Sequence, residues 1–178
     1  MTTASTTLRD LKGLGHTPSS LSESALIMID CQNTYREGIM KLEGVENALE
    51  EGKKLLERAR ALGIPIFHIR HDAGPGSPYD INDHIGAIAD IVAPIEGEPV
   101  ITKNFPNSFV QTDLDEQLKA KGVKNIILAG FMPHISVNPT AHGGFHLAYA
   151  PTVVARATPS RTFPPPPGQV LSPHELPL

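Results

Sequence analysis

The chain has 178 residues, 40% of them apolar, and a net charge of −4 with both signs interspersed. That is one domain of ordinary size with material for a real core, and the absence of a basic stripe argues against nucleic acid as a partner. A single cysteine, Cys31, rules out an intrachain disulfide and fits a reducing compartment. The polar start MTTASTTLRDLKGLGHTPSS has no apolar signal core and no run approaches a membrane span, so the expectation is a cytoplasmic protein without membrane contact.

Residues 1–22 are rich in Ser and Thr and read as a flexible N-terminal arm. ALIMID (25–30) is a short apolar run ending in Asp, the pattern of a buried strand. Over 45–62, Val45, Ala48, Leu55, Leu56 and Ala59 recur at helical spacing, and Gly63 supplies a stop. IPIFHIRH (64–71) reads as the second strand. AGPGSPYDINDH (73–84) is a long loop of the kind that carries function inside compact domains. EPVITKN (98–104) is a short strand, and Thr112 or Asp113 caps a helix over 114–122. KNIILAG (124–130) is a third strong strand, residues 137–148 read as helix, and APTVVARAT (150–158) as a further strand. Ten of the 17 prolines lie at or after residue 133, four of them as PPPP at 164–167. Residues 161–178 therefore read as a Pro-rich C-terminal extension, which leaves 23–160 as the folded domain.

Strands and helices alternate at βαβ spacing. The predicted fold is α/β, a Rossmann-like three-layer sandwich with a mostly parallel central sheet flanked by helices. Ligands in such sheets bind beyond the carboxyl ends of the strands. Asp30, Lys103 and Ser136 stand at those ends, on three separate strands, and converge on one crevice. Singly, each has an ordinary reading: Asp30 as a turn former, Lys103 as a solvated strand end, Ser136 as a helix cap. Together they form a working set, because an ammonium holds a carboxylate ionised and oriented while the carboxylate moves a proton.

At these residues the chain resembles the isochorismatase-like hydrolases, also called the cysteine hydrolase superfamily. The resemblance runs through ALIMIDCQNTY (25–35), ITKNFPNSFVQTDLDEQLKAKGVKNIILAGFM (101–132) and, more loosely, HISVNPTAHGGFHLAYAPTVVARAT (134–158). It implies Asp30 as catalytic acid or base, Lys103 as its partner, and Ser136 at the place of the usual nucleophilic cysteine. It also implies an oxyanion hole from the backbone amides of Met132 and Ser136, a non-proline cis peptide at Phe131–Met132, and a homo-oligomer, dimer or tetramer. Serine is far less acidic than a thiol and needs an adjacent base, so thioester chemistry on an amide is not carried over intact. One branch of the superfamily cleaves a vinyl ether with an Asp acid and water, and needs no covalent nucleophile.

The expected activity is hydrolysis of a small molecule at an amide C–N bond or a vinyl ether. The alternative is a catalytically silent relative that binds or assembles. Gln32, Tyr35, His71 and His134 are the expected substrate-binding residues. Cys31 follows Asp30 on a strand and should face the other way, into the core. His142 and His146 are spaced i, i+4, but HGGFH lacks the Glu of a zinc-protease motif, so no metal is expected. His68 and His71, at i, i+3 on a strand, face opposite sides. No dinucleotide or P-loop glycine motif is present, and no cofactor is expected.

Overall fold

The computed structural model describes residues 17–159 together with Leu11 and Gly13. The terminal segments expected over 1–22 and 161–178 lie outside the described residues, apart from the few named here and at the domain's edge. Five strands form one sheet in the order β3-β2-β1-β4-β5, every neighbouring pair parallel. They are β1 (Ser24–Ile29), β2 (Ile66–His71), β3 (Val100–Lys103), β4 (Asn125–Gly130) and β5 (Ala150–Val153). β1 lies at the centre between β2 and β4, and all six of its residues are buried. A strand covered on both faces reads as a continuous apolar run, which is why ALIMI could be recognised.

Helix α1 (Val45–Leu62) buries Val45, Ala48, Leu49, Gly52, Leu56 and Ala59 against one face of the sheet. It stops at Gly63, whose φ of +65° only glycine adopts freely and whose N–H bonds the Ala59 and Arg60 carbonyls. Helices α2 (Leu114–Ala120) and α3 (Asn138–His146) cover the other face, with Leu114, Leu118, Val137 and Ala141 packed on Ile27, Ile29 and Leu128. Each fully buried Leu or Ile in these layers stabilises the fold by about 1.5–3 kcal/mol. Among the described residues no helix is long and apolar enough to cross a membrane.

One ionic knot ties α1 to β2 and to the approach of β3. Arg60 forks onto Glu98 at 2.8 Å through both Nε and Nη2, and His68 Nε2 lies 2.9 Å from the same carboxylate. His68 is buried on β2 and its Nδ1 has no hydrogen-bond partner among the described residues.

The structure departs from the sequence reading at three places. The strand expected over 150–158 pairs only as Ala150–Val153, and Ala155–Ala157 form a 3-10 turn that packs toward α1. β-branched residues favour extended backbone, but pairing with β4 ends at Val153 and the chain leaves the sheet edge there. Asp113 sits at the cap of α2 without a capping bond; Thr112 Oγ1 accepts from the Leu114 N–H at 3.4 Å instead. The helix expected over 137–148 ends at His146 and is preceded by a π-turn over Pro133–Val137.

Candidate active site

β1 and β4 stand at the point where the sheet order reverses, and their paired ends, Ile29 opposite Gly130, open the crevice where such folds bind ligands. Asp30 follows β1 with φ at +53°, a left-handed conformation that Asp tolerates better than most residues. This turn takes its side chain out of strand alternation. Cys31 then joins the apolar cluster on the α1 face and is buried, as expected. The strand after Gly130 enters the cis peptide Phe131–Met132, and the π-turn presents Ser136 beneath the crevice.

Lys103 reaches the site from β3 at the sheet's edge, past the end of β2. Its Nζ lies 2.7 Å from Asp30 Oδ2, donates to Ser136 Oγ at 3.2 Å and stands 3.4 Å from His71 Nδ1. So the structure brings Asp30, Lys103 and Ser136 together. Asp30 and Lys103 are 1% exposed and Ser136 2%. The Asp30–Lys103 contact is one of charge; neither Asp30 oxygen has an aligned hydrogen-bond partner among the described residues. Burial pushes the Asp30 carboxyl up, the Lys103 ammonium and the Ser136 hydroxyl pull it back, and the balance leaves it raised.

The two amides expected as an oxyanion hole differ. The Met132 N–H has no acceptor among the described residues, whereas the Ser136 N–H donates to the Met132 carbonyl at 3.0 Å. That carbonyl also receives the Ile135 and Val137 N–H groups, each at 3.2 Å.

The expected binding residues take distinct places. Gln32 is fully buried, and its amide is committed to backbone: it donates to the His71 and Gly86 carbonyls at 2.9 and 2.7 Å and accepts from the His71 N–H at 2.8 Å. Tyr35 is buried, with its ring edge-on to Phe131 and Tyr79 and its hydroxyl 3.2 Å from that of Tyr79. His71 is half-buried, edge-on to the Tyr79 ring at 5.2 Å. His134 is exposed on the π-turn. A depression of about 290 Å³ lies on Thr34, Glu37, Ile39, Ser77, Asp80 and Ile85, next in sequence to the Tyr35–Tyr79 pair; none of the three central residues lines it.

Sequence reasoning assigned no role to Ser108, although it lies five residues after Lys103, a K-x-x-x-x-S spacing inside the stretch 101–132. Its buried N–H and hydroxyl both meet Thr140 Oγ1 of α3, at 3.0 and 2.9 Å. This bond fastens the segment that follows Lys103 to the helix that follows Ser136. The K-x-x-x-x-S spacing is the signal from which it could have been read.

Comparison with known proteins gives the family and the fold. The model of the isochorismatase domain matches residues 24–165. A secreted isochorismatase effector, Isc1, of Verticillium dahliae is 35% identical over 157 residues, which cover 88% of this chain and 83% of that protein. An isochorismatase from Pseudomonas putida superposes with a TM-score of 0.90 at 35% identity, covering 97% of this chain and 88% of its own. A ureidoacrylate amidohydrolase, RutB, of Stutzerimonas stutzeri is 28% identical, over 77% of this chain and 70% of that protein. On its fold, its matched domain and these relatives, the chain belongs to the isochorismatase family of hydrolases.

Proposed function

We propose that this chain hydrolyses an enol ether of a small molecule, with Asp30 as general acid and water as the group that adds. The observation that carries the reading is the Asp30 carboxyl itself. It is sealed from solvent, raised above its ordinary range, and has an aligned partner at neither oxygen among the described residues. A carboxyl in that state takes up a proton more readily than an exposed one and has room to deliver it.

The steps balance without a covalent enzyme intermediate. Asp30 gives its proton to the terminal carbon of the C=C bond, and the former π pair becomes the new C–H bond. The adjacent carbon, now an oxocarbenium ion, is attacked by water, whose excess proton returns to Asp30. The resulting hemiketal passes its hydroxyl proton to the ether oxygen as the C–O bond breaks, leaving a ketone and an alcohol. The developing charge is positive, so the Asp30 carboxylate stabilises it and no oxyanion hole is needed. This suits a site in which the Ser136 amide is already bonded to Met132 and in which position 136 is a hydroxyl held by a lysine donor. The isochorismatases among the relatives make isochorismate the first substrate to assay, and the amidohydrolase makes ureidoacrylate the control from the other branch.

The test measures turnover of isochorismate, simple enol ethers and a panel of amides by wild type and Asp30→Asn. Loss of the general acid lowers kcat by about 10²–10⁴-fold. Enol-ether hydrolysis that survives in Asp30→Asn overturns the mechanism. Amide turnover with an acyl group trapped on Ser136 assigns the other branch. Tight binding of isochorismate without turnover assigns a silent binding protein.

A further inference from the structure

We propose that His71 is a positioning residue: its neutral imidazole holds the Lys103 ammonium in register with Asp30 and Ser136, and releases it when protonated. The inference rests on the reading of Asp30 as the working acid.

An ammonium has three protons and accepts none. Lys103 Nζ has Asp30 Oδ2 as its ionic partner at 2.7 Å and two hydrogen-bond acceptors in reach, Ser136 Oγ at 3.2 Å and His71 Nδ1 at 3.4 Å. The third contact requires a lone pair on Nδ1, which assigns the imidazole proton to Nε2. His71 is itself held at both backbone groups by the Gln32 amide, at 2.8 and 2.9 Å, and its ring stands edge-on to Tyr79. The ring therefore has a fixed pose from which to aim Nδ1. Of the four polar groups at the centre, His71 alone is half-exposed; the other three are sealed. Solvent protons reach the constellation most directly there.

Protonation removes the lone pair and places a second positive charge 3.4 Å from the ammonium. The groups that face His71 are Lys103 on β3, Asp30 after β1, Asp72 next in sequence, and the Tyr79 ring from the loop after β2. Burial and Lys103 disfavour the imidazolium, and Asp30 and Asp72 favour it; the balance lowers the value from 6.5. Activity is then present while His71 is neutral and falls as pH drops below 6.5 through the lowered value.

Two variants separate positioning from mere structure. His71→Asn keeps an acceptor near the place of Nδ1 and cannot titrate, so the acid limb of kcat against pH disappears and kcat falls less than in His71→Leu. His71→Leu has no acceptor, and kcat falls about 10- to 100-fold with KM little changed. An acid limb that persists in His71→Asn, or a His71→Leu variant equal to wild type, overturns the proposal. If Asp30→Asn is inactive while the His71 variants behave in either of those ways, this inference alone fails; if Asp30→Asn is active, the parent reading fails. A second readout needs no substrate. Nuclear magnetic resonance titration of the His71 ring in wild type and Lys103→Met should show the midpoint rising in the variant, and an unchanged midpoint refutes the coupling.

Discussion

Lys103→Met keeps the length of the buried side chain and removes its charge. In wild type the ammonium sits 2.7 Å from Asp30 Oδ2, with both side chains sealed from water. Removing one partner of such a pair leaves an uncompensated buried charge, at a cost of about 3–5 kcal/mol. The protein can escape that cost by protonating Asp30, so the loss depends on pH. Asp30 is already raised above its unfolded value, and losing the ammonium, which lowers it, raises it further. A group raised on folding contributes stability that is full below its unfolded value, about 3.9, and is lost as pH rises through the folded value. The variant should therefore fall behind wild type as pH rises above the wild-type Asp30 value, at up to about 1.4 kcal/mol per pH unit. The chain has no tryptophan, so urea unfolding is best followed by far-ultraviolet circular dichroism at several pH values. The double variant Asp30→Asn, Lys103→Met should regain about 3 kcal/mol at pH 7, the coupling of the pair. A Lys103→Met protein as stable as wild type at pH 7, with a flat pH dependence, would refute the account of Asp30 as a carboxyl held between burial and a single cation.

Three further changes probe the frame around the site. Ala148, just past α3, has φ at +70°, so Ala148→Gly should stabilise by about 1 kcal/mol and raise Tm by about 2–4 °C in a thermal melt. Gly130 ends β4 with φ at +133°, and a Cβ there would overlap the Ile29 carbonyl; Gly130→Ala should cost more than about 3 kcal/mol in urea and lower turnover, because the backbone that must yield adjoins Asp30. His68 is buried and lowered by burial, so the unfolded chain takes up a proton that the folded chain refuses; stability is lost as pH falls below 6.5, at up to about 1.4 kcal/mol per unit, and His68→Leu should flatten that slope in melts between pH 5 and 7.

The parts of the fold that could be read in advance are those whose causes are local. β1, β2 and β4 are unbroken apolar runs because both faces of the sheet are covered, and α1 shows its buried stripe and its glycine stop within one stretch of chain. Asp30, Lys103 and Ser136 were readable as polar residues at strand ends, where the architecture brings them together. What stayed hidden depends on contacts far along the chain. The Gln32 amide bonds carbonyls 39 and 54 residues away, and Ser108 meets Thr140 across 32 residues, so neither leaves a local pattern. The π-turn was hidden for another reason: PHISV has no composition of its own, and its shape comes from three N–H groups gathering on the Met132 carbonyl.

Gln32 has a consequence for how the site can exist at all. β1 leaves the sheet at Asp30, and this would strip β2's last residue of the rungs that a longer central strand would have supplied. The Gln32 side chain acts as a prosthetic peptide group, offering one donor and one acceptor to the backbone of His71 at the spacing of a ladder. The sheet thereby continues for one more step through a side chain while its main chain turns away. This lets Asp30 occupy the centre of the sheet without loosening the strand beside it. Gln32→Glu would lose the donor half of that step, and the first residue to drift would be His71.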